Sequence, residues 1–214
     1  RLFYATANIR WNRGKDYYTQ APWRGTWALD GGALMNQCIH NIDLIRWMMG
    51  EEISEVVGYT ANMNHNYLET EDLGIALIRF SNGSLGIIEG TTNIYPKNLE
   101  EKLCVFGEKG TAIAGGKAVN TIDEWCFSDQ VDESDNVKLS CQENPPNVYG
   151  FGHKRLYADF IEAINDDREP YVSAVDGKNA LELVLAIYKS ASEGKAVSLP
   201  LKNASTLDQM GRFK

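Results

Sequence analysis

The chain of 214 residues has a formal net charge of −8, a hydrophobic content of 43% and a charged content of 23%. These values are typical of a globular protein that buries a sizeable core as one large domain or at most two. The acidic balance argues against a nucleic-acid partner, because no surplus of cations is available to neutralise phosphates. No apolar run approaches the roughly 20 residues that span a bilayer, and no secretory signal opens the chain, so we expect a cytoplasmic protein without a membrane partner.

Two further features bound the class of protein. The four cysteines lie far apart and form no C-x-x-C pair, which is neither a zinc pattern nor a dense disulfide framework, so we expect reduced thiols: Cys38, Cys104, Cys126 and Cys141. The first residues, Arg1 to Tyr4, include no initiator methionine. We therefore expect residues 1–214 to be one domain of a longer protein.

The first predicted element is a strand that begins near Arg1 and ends near Arg10, because β-formers alternate there. Residues 11–27 then form a predicted loop that is dense in aromatic rings and cations: Trp11, Arg13, Lys15, Tyr17, Tyr18, Trp23 and Arg24. Aromatic faces with arginine donors suit the hydroxylated rings and acidic groups of sugar derivatives. The alternative is a surface loop that is merely held in place by its aromatic side chains.

Residues 34–49 read as one helix, with a glycine pair before it and Gly50 after it. At about 100° per residue, a polar stripe lies on one side of this helix: Asn36, His40, Asp43 and Trp47. The remaining circumference is mostly apolar, which predicts a buried helix. We expect the stripe either to be satisfied inside the fold or to be used in chemistry.

After this helix the pattern changes to successive strands joined by short turns: 53–64, 72–80, 85–92, 99–106, 111–114 and 119–127. Such a run predicts an antiparallel sheet. Residues 129–146 are polar and acidic and predict an exposed loop. Two helices are expected to follow, over 151–165 and 176–193, with Asp176 as the N-cap of the second and Gly194 as its end. The fold class is therefore α+β: a large open, mainly antiparallel sheet with helices packed on one face.

His40 is the strongest candidate for chemistry. A neutral imidazole near pH 7 can take a proton from an alcohol, which hydride transfer from a carbinol requires. Asn36, one turn earlier, is placed to orient a hydroxyl, and Asp43 to fix the imidazole tautomer or to cap a neighbouring backbone group. A buried histidine with a purely structural role is the alternative.

A metal site is a competing interpretation. His40 and Asp43 have a usable i, i+3 spacing, and a third ligand could come from His65, Glu69, Glu71, Asp72 or His153. Three histidines in the whole chain make a closed zinc site unfavourable, so we predict no metal. The acidic run 69–72 is expected to be a solvated turn before a strand, and His153 either a surface residue or one that reaches the site.

Several motifs together resemble a known family. They are W-R-G-T-W-A-L-D-G-G-A-L-M-N-Q-C-I-H-N-I-D at 23–43, W-M-M-G at 47–50, G-H-K-R-L-Y-A-D-F-I-E-A-I at 152–164, A-L-E-L-V-L-A-I-Y-K-S-A at 180–191 and G-K-A-V-S-L-P at 194–200. This order is similar to the C-terminal domain of the glucose–fructose oxidoreductase, inositol dehydrogenase and MocA family.

The resemblance implies a two-domain enzyme that uses NAD or NADP, with an N-terminal Rossmann domain that carries the cofactor and a catalytic lysine in an E-K-P motif. Neither that domain nor a G-x-G-x-x-G loop occurs in these 214 residues, so the cofactor-binding residues are unknown and the chain alone should be inactive. By this resemblance His40 matches the catalytic histidine. The family commonly has an aspartate four residues before it, whereas this chain has Asn36.

These observations predict the substrate-binding half of an oxidoreductase that oxidises a secondary alcohol of a sugar, cyclitol or nucleotide sugar. The expected catalytic residues are His40 and Asn36. The expected substrate contacts are Arg10, Arg13, Tyr18, Trp23, Arg24 and Asp43. The open sheet face is expected to form a homo-oligomer. The alternative from another class is a non-catalytic module that oligomerises through that face and binds carbohydrate.

Overall fold

The computed structural model describes residues 1–50, 52–129, 134–142 and 150–213. Eight strands form one sheet in the order β7-β6-β5-β1-β4-β3-β2-β8. The strands are β1 (Leu2–Arg10), β2 (Ile53–Ala61), β3 (Leu73–Phe80), β4 (Leu85–Thr91), β5 (Glu100–Gly107), β6 (Gly110–Gly115), β7 (Thr121–Phe127) and β8 (Val197–Ser198). β1 and β4 pair in parallel, and the other neighbouring strands pair antiparallel. The predicted fold class is confirmed.

The described helices are α1 (Lys15–Thr19), α2 (Ala33–Asn36), α3 (Ile39–Met49), α4 (Ser134–Ser140), α5 (Gly152–Asn165) and α6 (Ala174–Glu193), and a 3₁₀ turn follows at Thr206–Gln209. α2, α3 and α6 pack on one face of the sheet, with α3 over β1 and β5 and α6 over β2. None of the helices within the described ranges combines the length and the apolar character needed to cross a bilayer.

The core lies between the sheet and these helices because strand residues alternate between its two faces. On β1, Ala5, Ala7 and Ile9 are fully buried and belong to the same apolar cluster as Ile42 of α3 and Leu183 of α6. The opposite face carries exposed apolar side chains from three neighbouring strands: Tyr59, Ile75, Leu77 and Leu85.

The predicted start of the last helix needs correction. Ser173, not Asp176, is the N-cap of α6: its hydroxyl accepts the backbone N–H of Asp176, and the Asp176 carboxylate accepts the backbone N–H of Ser173 at 2.9 Å. This reciprocal arrangement satisfies two helix-terminal donors, and the aspartate is its third helical residue. Gly194 ends the helix as predicted, in the left-handed conformation.

The exposed loop predicted for 129–146 is wrong for residues 134–140, which form α4. This short helix packs on β7, and Lys138 pairs with Glu124 of that strand at 3.5 Å. Packing against β7 stabilises this helix, which the polar sequence does not predict. Residues 130–133 and 143–149 of the predicted loop lie outside the described residues.

α5 confirms the helix predicted over 151–165, but the apolar side chains that it carries at helical spacing are not buried. Leu156, Phe160, Ile161 and Ile164 are each about half exposed or more, and Ala163 is the buried residue of the helix. α5 makes no extended contact with another described helix or strand. An apolar helix face without a cover marks an interaction surface.

Candidate active site

The predicted helix over 34–49 is two helices in the structure. α2 ends at Asn36 and α3 begins at Ile39, and between them the N–H of Cys38 bonds the carbonyl of Ala33 five residues earlier, at 3.0 Å. The backbone stays right-handed through Gln37 and Cys38, so this is a local widening of the helix and not a turn. The sequence carries no glycine or proline here, so the pattern alone could not locate the interruption.

The polar stripe of α3 faces outward. His40 and Trp47 are exposed, and Met48 beside them is 38% exposed. The predicted burial of the apolar sides is confirmed except at Met48, because α3 packs on β1 and β5 and on α6, and Leu34, Ile42 and Ile45 lie in the core. An exposed imidazole does not need an internal partner and is accessible to a ligand.

Asp43 lies on the same stripe but bonds elsewhere. Its carboxylate is 3.5 Å from the Nη2 of Arg46, which also donates to the Asp176 carboxylate of α6 at 3.1 Å. Among the contacts of the described residues, the Asp43 carboxylate accepts no hydrogen bond from His40. This geometry favours a role in holding α3 against the start of α6 over direct contact with the imidazole.

Asn36 has its side chain fixed by three neighbours. Its Nδ2 donates to the Asp30 carboxylate, and its Oδ1 accepts from Gln37 Nε2 at 2.8 Å and from the Tyr17 hydroxyl at 3.5 Å. Burial raises the pKa of Asp30, while the Gly25 N–H, the Asn36 amide and the Arg24 charge oppose that rise. Because the carboxylate accepts the amide N–H, the Asn36 oxygen points to the Tyr17 side. Asp30 and Tyr17 were not among the predicted site residues.

The aromatic loop brings two predicted arginines to the same place. The guanidinium carbons of Arg13 and Arg24 lie 5.1 and 4.0 Å from the centre of the Tyr17 ring. Arg13 also lies over Trp11, and Arg24 over Trp23 at 5.3 Å, with Trp23 40% exposed. Predicted contacts from positions 13, 23 and 24 are thus grouped around Tyr17, whose hydroxyl reaches Asn36.

Tyr18 is buried beneath the loop and is not accessible to a ligand. Its ring is buried against His65 and Tyr67, with ring centres 5.4 and 6.1 Å away, and its hydroxyl donates to Thr92. Burial raises the pKa of Tyr18 and lowers that of His65. Tyr18 therefore fits the alternative of a loop held in place by its aromatic side chains. Tyr17 lies under Arg13 and Arg24, and their role in binding a substrate stays a prediction.

Arg10 is separated from these residues by the sheet. It bonds Glu89 at 2.6 Å and also pairs with Glu100. The neighbours of Glu89 on β4, Ile88 and Gly90, point to the helices, so Glu89 and Arg10 lie on the opposite face. The structure does not bring Arg10 together with His40 or Asn36.

The acidic run 69–72 is not a solvated turn, because Thr70, Glu71 and Asp72 are fully buried. Asp72 accepts three backbone N–H groups at 2.9 Å each. Glu71 lies beneath α2, where its Oε1 accepts the Leu34 N–H at 2.9 Å and the Tyr188 hydroxyl at 2.8 Å. A buried acid that receives such donors replaces water as their partner.

Burial raises the pKa of Glu71 to about 7, against the opposing effect of its hydrogen bonds, and raises the pKa of Glu101 on β5 to about 7. A side chain at position 32 would bring its Cβ to 1.8 Å from Glu71 Oε2, which explains the glycine there. Sequence reasoning missed both buried acids, because their burial depends on contacts between distant segments.

The metal interpretation finds no support in the part of the chain that the structure describes, where no three histidine, cysteine or acidic side chains come together to hold an ion. His65 is buried with Asp72, and His153 is in the exposed first turn of α5.

The fold and this arrangement define a class of protein. The family model described as "Oxidoreductase family, C-terminal alpha/beta domain", of the glucose–fructose oxidoreductase, inositol dehydrogenase and MocA family, matches residues 1–199. The chain belongs to that family, as the sequence motifs predict.

Individual relatives are dehydrogenases. The chain is 28% identical over 188 residues to myo-inositol 2-dehydrogenase of Thermotoga maritima, covering 80% of this chain and 50% of that protein. The crystal structure of the WlbA dehydrogenase from Bordetella pertussis, in complex with NADH and UDP-GlcNAcA, is 40% identical, with a TM-score of 0.85 over 94% of this chain and 57% of that one. The WlbA structure from Chromobacterium violaceum, with the same two ligands, is 38% identical, with a TM-score of 0.83 over 95% and 56%. The chain thus spans about half the length of these relatives.

Proposed function

We propose that this chain is the substrate-binding half of an NAD-dependent dehydrogenase that oxidises a secondary alcohol of a nucleotide-linked sugar. The observation that carries the proposal is the exposed imidazole of His40 at the start of α3, four residues after Asn36, whose amide is fixed by Asp30 and contacts Tyr17 of the arginine-bearing loop. The similarity to two WlbA dehydrogenases with NADH and UDP-GlcNAcA supports a nucleotide sugar over a free cyclitol.

In this proposal His40 takes the proton of the substrate hydroxyl, and the Asn36 oxygen accepts a hydrogen bond that orients it. When bound, a nicotinamide cofactor, NAD or NADP, supplies the hydride acceptor. The sequence has no glycine-rich dinucleotide loop, so residues outside this chain would hold the cofactor. In this proposal the cofactor lies next to the exposed side of α3, which carries His40.

A preceding dinucleotide-binding domain is part of the proposal. Relatives are about twice as long as this chain, and the apolar stripe of α5 has no cover from the described residues. We expect the natural protein to be heavier by about 100–150 residues, the size of one domain, and this chain alone to lack activity. An intact mass of the natural protein equal to the 23.9 kDa of this chain would contradict this.

The proposed site is tested by His40→Ala in the full-length protein, with UDP-GlcNAcA and NAD as substrates. Loss of a positioned acid–base group should lower kcat by about 10²–10⁴ with unchanged thermal stability. His153→Ala removes another exposed imidazole and serves as the control, with kcat expected near that of the wild type. Unchanged turnover in His40→Ala would overturn the assignment.

The exposed apolar sheet face is the observation that favours the second candidate, a non-catalytic carbohydrate-binding module that oligomerises through Tyr59, Ile75, Leu77 and Leu85. A homo-oligomer through this face is compatible with both candidates. Ligand binding without NAD reduction, unaffected by His40→Ala, would favour the module.

A further inference from the structure

The short helix α2 (Ala33–Asn36) has no N-cap side chain of its own. Gly32 stands at the N-cap position, so no local side chain accepts the free N–H groups with which every helix begins. A helix of four residues also does not hold its own conformation, because the hydrogen bonds of a single turn do not offset the entropy lost in forming it. The position of α2 therefore depends on contacts with the rest of the fold.

Glu71 and Tyr188 supply these contacts. The Ala33 N–H donates to the backbone carbonyl of Glu71 at 3.0 Å, and the Leu34 N–H donates to its Oε1 at 2.9 Å. The Gly32 N–H donates to the Tyr188 hydroxyl at 3.3 Å, and this hydroxyl donates to Glu71 Oε1 at 2.8 Å. Three consecutive residues at the start of α2 are thus held from below, and Glu71 takes the role of a cap residue from 37 positions away along the chain.

The second carboxyl oxygen of Glu71 indicates a role beyond packing. Oε2 is buried and has no hydrogen-bond partner among the described residues. A buried acceptor without a partner costs free energy of folding. Natural folds keep such groups mainly where function or a specific conformation needs them.

Backbone hydrogen bonds connect the held residues to the candidate active site. The Asn36 N–H donates to the Gly32 carbonyl at 2.9 Å, and the N–H of Cys38, the N-cap of α3, donates to the Ala33 carbonyl at 3.0 Å. His40 follows two residues later. A helical turn is about 5.4 Å long, so a shift at the start of α2 is transmitted directly to Asn36.

We propose that Glu71 and Tyr188 are positioning residues for the reaction: they fix the start of α2 so that Asn36 meets the substrate hydroxyl beside His40. This inference rests on the proposed function and adds two residues that do not touch the substrate. A misplacement of about 1 Å in an orienting group can lower a rate by about 10²-fold. The loss of either residue should therefore appear in kcat and leave the affinity for the substrate nearly unchanged.

Tyr188→Phe removes one hydroxyl and keeps the buried ring. In the full-length protein with UDP-GlcNAcA and NAD, we expect kcat to fall about 3–10-fold, the effect of losing one or two hydrogen bonds, and the Kd of UDP-GlcNAcA by calorimetry to change less than about twofold. Ser190→Ala is the matched control, because it removes another buried hydroxyl of α6, which accepts from the Gly58 N–H at 3.0 Å and donates to the Lys195 carbonyl at 2.6 Å. It should lower the melting temperature and leave kcat unchanged. Equal falls of kcat in the two variants would overturn the proposal.

Two substitutions of Glu71 test the acceptor itself. Glu71→Gln keeps an oxygen for the Leu34 N–H, whereas Glu71→Leu keeps only the volume. We expect kcat of Glu71→Gln to stay within about threefold of the wild type and kcat of Glu71→Leu to fall about 10–100-fold. Equally low values in both would overturn the proposal, because the retained acceptor would then have no effect. Where Glu71→Leu does not fold, Tyr188→Phe and Glu71→Gln decide the outcome.

Amide hydrogen exchange separates a failure of this inference from a failure of the proposed function. Tyr188→Phe should accelerate exchange in residues 33–38 and leave α3 and the strands as protected as in the wild type, a result that needs no substrate. Faster exchange throughout the chain would indicate a general loss of stability and overturn the proposal. NAD reduction by the wild type, with an unchanged kcat in Tyr188→Phe, would overturn this inference and leave the proposed function intact. Absence of NAD reduction by the wild type would contradict the proposed function, and localised exchange would then still identify Glu71 and Tyr188 as the support of α2.

Discussion

The two sides of the α2–α3 segment alternate along one stretch of sequence, but they lie in different environments in the structure. The inner side is apolar and fully buried, with Leu34, Ile42 and Ile45 against the sheet. The outer side carries His40 and Trp47, which remain exposed. The difference indicates that the inner side determines stability, while the outer side is available for chemistry.

The largest expected effect comes from removing a buried side chain on the inner side. Ile42→Ala removes a fully buried side chain from the core between α3 and β1, and we expect the free energy of unfolding to fall by about 2–5 kcal/mol. Urea denaturation of the purified chain measures this. Met48 lies on the outer side of the same helix and is 38% exposed. Met48→Ala should lower the free energy of unfolding by well under half as much, and equal losses in the two variants would contradict the comparison.

A second experiment concerns the buried acid beneath α2. Burial raises the pKa of Glu71 from 4.5 to about 7, so its contribution to stability is fully present below pH 4.5 and is lost as the pH rises through 7. From Glu71 alone, we expect the free energy of unfolding to fall by on the order of 3 kcal/mol between pH 4.5 and 8. Glu71→Gln should remove this part of the pH dependence, because a side-chain amide does not titrate in this range. The variant should still fold, since the amide oxygen can accept from Leu34 and Tyr188.

Urea denaturation at several pH values compares wild type and Glu71→Gln. Burial also raises the pKa of Glu101 to about 7, so Glu101→Gln should flatten the profile in the same direction, and the double variant should flatten it further. A Glu71→Gln profile parallel to that of the wild type would show that Glu71 does not titrate in this range.

The smallest expected effect concerns the orientation of Asn36 on the outer side. Asp30 holds the Asn36 amide with its oxygen toward Tyr17, and Asp30→Asn lets that amide turn. We expect kcat/KM to fall by about 2–10-fold, the worth of one hydrogen bond, mostly through kcat. Asp16→Asn, an exposed aspartate in α1, is the matched control, and an equal effect in both variants would argue against a positioning role for Asp30.

The sequence predicts much of this architecture, for reasons visible in particular residues. Alternating apolar positions identify β1 and β3, and the turn at residues 81–84 predicts that β3 and β4 pair antiparallel, as they do. Gly50 and Gly194 adopt the left-handed conformation that ends α3 and α6. These signals are local, so they survive without knowledge of the tertiary fold.

Other features depend on distant contacts. α5 and α6 have similar apolar stripes in sequence, but α6 buries Leu183, Val184 and Ile187 while α5 leaves Phe160 and Ile161 exposed. Periodicity predicts that a helix has an apolar face and does not identify what covers it. The same reason explains the misread run at 69–72, whose partners Leu34 and Tyr188 are remote in sequence.

The sequence by itself determined most of the strand and helix pattern and the family resemblance, and it supplied the residues proposed to carry chemistry, His40 and Asn36, because each rests on local spacing or an ordered motif. Only the tertiary structure decided that His40 faces outward, that Arg10 lies on the opposite face of the sheet, and that Tyr17 gathers Arg13 and Arg24 beside Asn36. Which side chains meet depends on how the sheet and helices pack, and residues that are close in sequence, such as Arg10 and Arg13, can end on opposite sides of a strand.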